Sequence, residues 1–311
     1  MRKGIFVFII VTIAFLAGAA GADWVWVKDT GNDLFAVQML SATNGWAVGL
    51  GGRIWHYTGS DWVQVTSPTT RDLNDVCMLS ATDGWAVGNN GVILRYNGSS
   101  WLTVTSPTTT HLTCVDFGAA GDGWAAGNNG VLIRYVGVNW GTVAGPTSRN
   151  INGLDMTSVT QGWLVSNNGE ICAFYGGAWH DQTSPTNRNL KAVAMASASS
   201  GFAVGNNQNI CLYDLGDWSL MYQGSATYGL NAVCYAGASE AWAMGVAGIA
   251  MHYRNNAWSS TLVPLGRTLY GVSFSSVYDG WAVGQGGAFY HYTSSSDVAP
   301  TTLGRVKALF R

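Results

Sequence analysis

An aromatic residue recurs within variants of the string Gly-Trp-Ala-Val-Gly, at Trp46, Trp85, Trp124, Trp163, Phe202, Trp242 and Trp281. The spacings are 39, 39, 39, 39, 40 and 39 residues. A period of this length marks a repeat architecture, in which each unit is one supersecondary element that cannot bury both of its faces alone. Seven units fill the chain from residue 23 to 293, and such regular spacing leaves no room for an inserted domain.

One unit shows what is repeated. Leu73 to Met78 reads as a strand, Ser80-Ala81-Thr82-Asp83-Gly84 as a turn, and the segment through Trp85 to Gly88 as a second strand. Asn89-Asn90-Gly91 turns the chain again, because Asn-Gly supplies the positive φ angles of a tight hairpin, and a third strand runs back over Val92 to Tyr96. Asn97-Gly98-Ser99-Ser100 then leads to a fourth strand from Trp101 to Thr105. Each unit is a four-stranded antiparallel meander whose strands are apolar on both faces, and sheets arranged radially cover one another. The expected fold is all-β, a seven-bladed β-propeller. Composition agrees: 10% of residues are charged, while Gly reaches 41 and Trp 15, a mix suited to short strands and turns rather than solvated helices.

The ends of the chain specify closure. Trp62, Trp101, Trp140, Trp179, Trp218 and Trp258 each follow a blade aromatic by 16 residues and mark the fourth strand of six blades. In the seventh blade that position is Asp297, whereas Asp23-Trp24-Val25-Trp26-Val27 resembles the fourth-strand segment Asp61-Trp62-Val63-Gln64-Val65. The N-terminal strand is therefore expected to complete the last blade beside Tyr290 to Tyr292, which ties the ends together and removes open sheet edges.

Outside the repeats, residues 1–22 read as a signal peptide: basic Arg2 and Lys3, an apolar run from Ile5 to Leu16, and small residues Ala20-Gly21-Ala22 at the cleavage site. A secreted or periplasmic protein beginning at Asp23 is expected, and no other segment is long and apolar enough to embed in a membrane. Residues 294–311 read as a flexible tail whose Leu303, Val306, Leu309 and Phe310 share one face of any short helix formed there. Cleavage leaves 13 basic and 17 acidic residues, an acidic balance that argues against nucleic acid as a partner. Five cysteines in a secreted chain ordinarily suggest disulfides. Here Cys172 and Cys211 occupy a third-strand position filled elsewhere by Trp55, Leu94, Ile133, Met251 and Tyr290, so five small core hydrophobes and no disulfide are expected.

The repeat core, Leu73-x-x-Val76-x-Met78 followed by Asp83-Gly84-Trp85-Ala86-Val87-Gly88-Asn89-Asn90-Gly91-Val92-Ile93-Leu94, resembles the propeller repeat of the photosystem II stability/assembly factor family, of the BNR/sialidase type. The resemblance spans all seven units. It implies a propeller that binds protein and carries an arginine patch on one face. That family enters its fourth strand through Asp-Gly-Gly-x-x-Trp, similar to the Asp-box of sialidases. This chain has Asn97-Gly98-Ser99-Ser100-Trp101 instead, which weighs against a sialidase.

Few residues suggest chemistry. The tryptophans repeat in register and so fill equivalent packing holes rather than stack on sugars. His56, His252 and His291 share a third-strand position in blades 1, 6 and 7, where neighbouring sites are too far apart to share an ion. Asp75, Asp116 and Asp155 fall on inner strands near the channel, and Glu170 opens a third strand, but none forms a recognisable catalytic pair. No catalytic residue, cofactor or metal site is expected. The feature that points to function is an arginine repeated 14 residues before the blade aromatic, at Arg71, Arg149, Arg188 and Arg267 in blades 2, 4, 5 and 7; Asn32, Thr110 and Tyr228 stand in the other blades. These loops emerge on one face near the channel mouth, and several like charges there attract anions, for which Arg is the best bidentate donor. The expected protein is a monomeric binding or assembly module for an acidic protein segment or other anionic ligand. A sialidase-like glycan enzyme or lectin and a structural surface or adhesive protein are the alternatives.

Overall fold

The computed structural model describes residues 23–225 and 227–294; the expected signal peptide over residues 1–22 and the expected tail beyond residue 294 lie outside the described residues. Seven four-stranded antiparallel sheets are arranged as blades, each a simple meander in chain order except the last. The inner strands are Leu34–Ser41, Leu73–Ser80, Leu112–Ala119, Ile151–Ser158, Leu190–Ser197, Leu230–Gly237 and Leu269–Ser276. They run two residues beyond the expected Met78 end because the pairing re-forms after a bulge, with Ser80 opposite Asp83. No helix among the described residues is long and apolar enough to cross a membrane.

The second strand of each blade is the buried spine. Its last five residues are buried in every repeat, as in Gly84-Trp85-Ala86-Val87-Gly88, because both faces are covered by the neighbouring blades. The two glycines are steric necessities. A Cβ on Gly84 would sit 2.2 Å from the Met78 sulfur, and one on Gly88 would sit 1.9 Å from the Asp72 carbonyl oxygen. Asn90 and Gly91 adopt φ of 57° and 71° in the following short 3-10 turn, the left-handed conformation that Asn-Gly tolerates best.

Blades are joined through aromatic contacts. The second-strand indole of one blade meets the fourth-strand indole of the next edge to face: Trp46 with Trp101 at 5.4 Å, Trp85 with Trp140 at 5.5 Å, and Trp124 with Trp179 at 5.5 Å. Such geometry sets the edge of one ring against the π face of the other. Fourteen indole N–H groups are buried with no hydrogen-bond acceptor among the described residues, so these rings are held by packing rather than by polar contacts.

Closure follows the same rule. Asp23–Lys28 pairs antiparallel with Phe289–Thr293, with Trp24 opposite Tyr292 and Trp26 opposite Tyr290. Trp24, 5% exposed, enters the fourth-strand hole and lies edge to face on Trp242 at 5.6 Å. Blade 7 in turn receives blade 1, since Trp281 meets Trp62 at 5.4 Å. Truncation of a buried Trp costs ~3–5 kcal/mol. Trp24→Ala, or removal of residues 23–27, is therefore expected to lower the melting temperature by about 10 °C; an unchanged calorimetric melt would show that the closing strand adds nothing to the ring.

Candidate functional site

In each blade the second hairpin turn and the loop from the outer strand to the next inner strand lie on one face of the disc, so the loops that bear the four repeated arginines all open on that face. Local turns fix their backbones. The N–H of Arg71, Arg149 and Arg188 each donates to a threonine hydroxyl two residues earlier, Thr69, Thr147 and Thr186, at 3.0–3.1 Å. Arg267 follows a different turn, Pro264–Gly266.

Their side chains are engaged unequally. Arg267 is half-buried, pairing with Asp29 at 2.7 Å and donating to the Gln285 carbonyl at 3.3 Å. Arg149 lies 3.6 Å from Glu170, whose other oxygen accepts from the Ser166 hydroxyl at 2.8 Å. Arg71 donates to the Asn90 carbonyl at 3.3 Å. Arg188 is exposed and has no side-chain partner among the described residues. Asp72, the carboxylate nearest in sequence to Arg71, is occupied elsewhere, accepting from Gly51 N–H and the Asn89 amide at 2.8 Å each.

The register also places a cation that the reading of the sequence missed. Lys191 is the second residue of its inner strand, where the other blades have Phe35, Asn74, Thr113, Asn152, Asn231 and Tyr270. These seven residues rim the mouth of a central cavity of about 270 Å³. Asn74, Thr113, Asn152 and Asn231 each donate to the first carbonyl of the next inner strand at 2.6–2.9 Å. Phe35 and Tyr270 pack edge to face at 5.8 Å. Lys191 has no partner among the described residues. A repeat alignment carries the signal: a lone basic residue in a column of amides, a hydroxyl and aromatics.

Deeper in the channel, the inner-strand carboxylates hold the ring together. Asp75 accepts the Val115 N–H at 2.9 Å, Asp116 the Met156 N–H at 2.6 Å, and Asp155 the Met195 N–H at 2.9 Å, each from the next blade. Gln38 and Ser273 do the same for Met78 and Met39. Each Asp keeps partial exposure, yet crowding by the surrounding strands dominates. Burial pushes Asp75 and Asp155 up to about 7 and Asp116 up to about 6. These groups are spent on structure.

The histidines and cysteines are also accounted for. His56, His252 and His291 stack on Trp46, Trp242 and Trp281 at 4.0–4.2 Å. Their Nε2 atoms lie 3.0, 3.3 and 2.6 Å from Asn44, Glu240 and Asp279. Arg95 and Arg134 repeat the arrangement over Trp85 and Trp124, paired with Asp83 and Asp122. His111 accepts the Asn90 N–H at 2.8 Å, in place of Asn150 and Asn189 in the next two blades. Among the described residues no group of three His, Cys, Asp or Glu could hold a metal ion. All five cysteines are free. Burial pushes the thiols of Cys114, Cys211 and Cys234 up to about 12 and those of Cys77 and Cys172 well upward, so none is a ready nucleophile.

Comparison with known proteins bears on the fold. No family model matches the chain, and no curated protein matches it. Among solved structures it is similar to YCF48 bound to a D1 peptide, with 17% identity over 90% of this chain and 97% of that one and a TM-score of 0.72. YCF48 from Cyanidioschyzon merolae gives 16% identity over 89% and 100%, TM-score 0.70. A streptogramin B lyase gives 13% identity over 89% and 100%, TM-score 0.78.

Two measurements check this account of the buried groups. A carboxyl whose pKa is raised on folding, from 3.8 to about 6–7 for these three Asp residues, binds its proton more tightly in the native state. Its stabilisation is complete below the unfolded pKa and lost as pH rises through the folded one. The melting temperature is expected to fall between pH 5 and pH 8, and Asp155→Asn, which keeps an acceptor for Met195, is expected to flatten that slope; an equal slope in the variant would mean Asp155 titrates normally. Separately, alkylation under denaturing, non-reducing conditions is expected to modify five thiols by intact mass, and three or fewer would reveal a disulfide.

Proposed function

We propose that this chain is a non-catalytic binding or assembly module that holds an acidic protein segment on the face carrying Arg71, Arg149, Arg188 and Arg267. The observation that carries the reading is that Arg188, in the loop two residues before an inner strand, and Lys191, on that strand and lining the central cavity, have no side-chain partner among the described residues. Unpaired cations on one face attract an anionic ligand without first breaking an internal ion pair. Arg149 and Arg71, with long contacts at 3.6 and 3.3 Å, exchange those contacts for a ligand carboxylate at small cost because both are exposed. Arg267, held at 2.7 Å, chiefly shapes the rim. The bound D1 peptide of the structurally similar YCF48 supports a peptide as ligand. The leader-like residues 1–22 support action outside the cytoplasm, where the buried, high-pKa thiols resist oxidation.

The expected result of replacing all four arginines by Ala is loss of partner capture and of its salt sensitivity, in pull-downs from the native extracytoplasmic fraction at low and high salt. Arg188→Ala alone is expected to weaken capture several-fold without moving the melting temperature, since it breaks no internal contact. Partner lists identical to those of the wild type at both salt concentrations would remove this face from consideration.

A further inference from the structure

Trp26 breaks the rule that governs the other indoles. It lies two residues beyond Trp24, the residue that fills the fourth-strand hole, and it is 41% exposed. Its N–H is paired, donating to Asp29 Oδ1 at 3.1 Å, and Asp29 Oδ2 is held by Arg267 at 2.7 Å. The exposed ring is thus fixed in one orientation, which a ring that merely covers apolar surface does not need.

This ring forms one wall of a groove of about 600 Å³ between the outer edges of blades 6 and 7, within the size range of small-ligand sites. The facing wall carries Arg254, Ser259, Thr261 and Leu262. Arg254 departs from its column, where the other blades have Thr58, Asn97, Val136, Tyr175, Asp214 and Thr293. Its Nε forms an ion pair with Glu240 Oε1 at 3.1 Å, while Glu240 Oε2 lies 3.3 Å from His252 Nε2. The two terminal nitrogens of Arg254 have no partner among the described residues, and the side chain is 65% exposed. A guanidinium anchored through Nε, with its terminal edge free, is set for bidentate capture of a carboxylate.

From this combination we infer that the groove between blades 6 and 7 binds an acidic sugar. The Trp26 face stacks against the C–H face of the ring, Arg254 takes the carboxylate, and the hydroxyls of Ser259 and Thr261 meet ring hydroxyls. A sugar fits better than an acidic peptide, because the groove sets one flat exposed ring, one cation and two hydroxyl side chains together, which matches a ring bearing one carboxylate and several hydroxyls. The site is on the rim and meets the arginine-bearing face only through the Asp29–Arg267 pair that orients Trp26, while its own ligand contacts come from Trp26 and Arg254 rather than from the four arginines.

Calorimetric titration tests the inference with three acidic probes, tri-galacturonic acid, tri-mannuronic acid and sialyllactose, against the methyl ester of tri-galacturonic acid and a Glu-rich peptide. At least one acidic probe is expected to bind at least tenfold more tightly than the ester and the peptide. Trp26→Ala is expected to weaken it at least tenfold, and Arg254→Gln to bring acid and ester to equal affinity. Trp26→Phe keeps a ring and is expected to retain part of the binding should the Ala variant fold poorly. Arg188→Ala, in blade 5 and outside the groove lining, is expected to leave sugar binding unchanged. Absence of binding across the acidic probes, binding that survives both substitutions, or a preference for the peptide would each overturn the inference.

Discussion

The edge-to-face contact between the second-strand indole of one blade and the fourth-strand indole of the next is the interaction on which the ring depends. It recurs as Trp46 with Trp101, Trp85 with Trp140, Trp124 with Trp179, Trp242 with Trp24 and Trp281 with Trp62, and Phe202 takes the indole's place against Trp258. Because each contact joins two blades, no blade completes its own core. The glycines that bracket the second-strand aromatic follow from it: a spine buried on both sides must let the Met78 side chain and the Asp72 carbonyl approach closely at Gly84 and Gly88. Closure follows too, since Trp242 lacks its partner until Trp24 arrives from the other end of the chain.

A second repeated arrangement explains residues that look functional in sequence. The cation or imidazole on the third strand lies over the blade indole and bonds to an acid or amide at the start of the second strand, as with Arg95 and Asp83 or His291 and Asp279. The histidines of blades 1, 6 and 7 share a position because each caps its own tryptophan. Their spacing around the ring reflects blade geometry rather than a shared ligand.

The fold was legible because its determinants are repeated: seven aromatics in phase, the Asn-Gly turns, and the missing seventh fourth-strand tryptophan that Trp24 supplies. The places of Arg71, Arg149, Arg188 and Arg267, each two residues before an inner strand, were legible for the same reason. Their electrostatic states were not, because the partners come from other parts of the chain. Asp29 pairs with Arg267 across 238 residues of sequence and the whole closure of the ring. The role of Asp75, Asp116 and Asp155 as acceptors for the next blade's N–H groups was hidden as well, since it depends on how far successive inner strands are staggered. Lys191 was readable in principle, as the one basic residue in its column, but its importance appears only once its neighbours are seen to be paired.

What repeats in this molecule is packing, and what departs from the repeat is where a ligand can be recognised. The likeness to both a peptide-bound protein and a lyase shows that the propeller itself does not choose between binding and catalysis. In the channel, Asp116 and Asp155 accept the Met156 and Met195 N–H groups of the next blade, so these carboxyls join blades whatever else they do. Donors without a hydrogen-bond partner among the described residues stand apart from these pairs: Lys191 in the channel lining, Arg188 in the loop before it, and Arg254 in the groove that Trp26 also lines. A site built of unpaired donors can hold an anion without first breaking an internal ion pair.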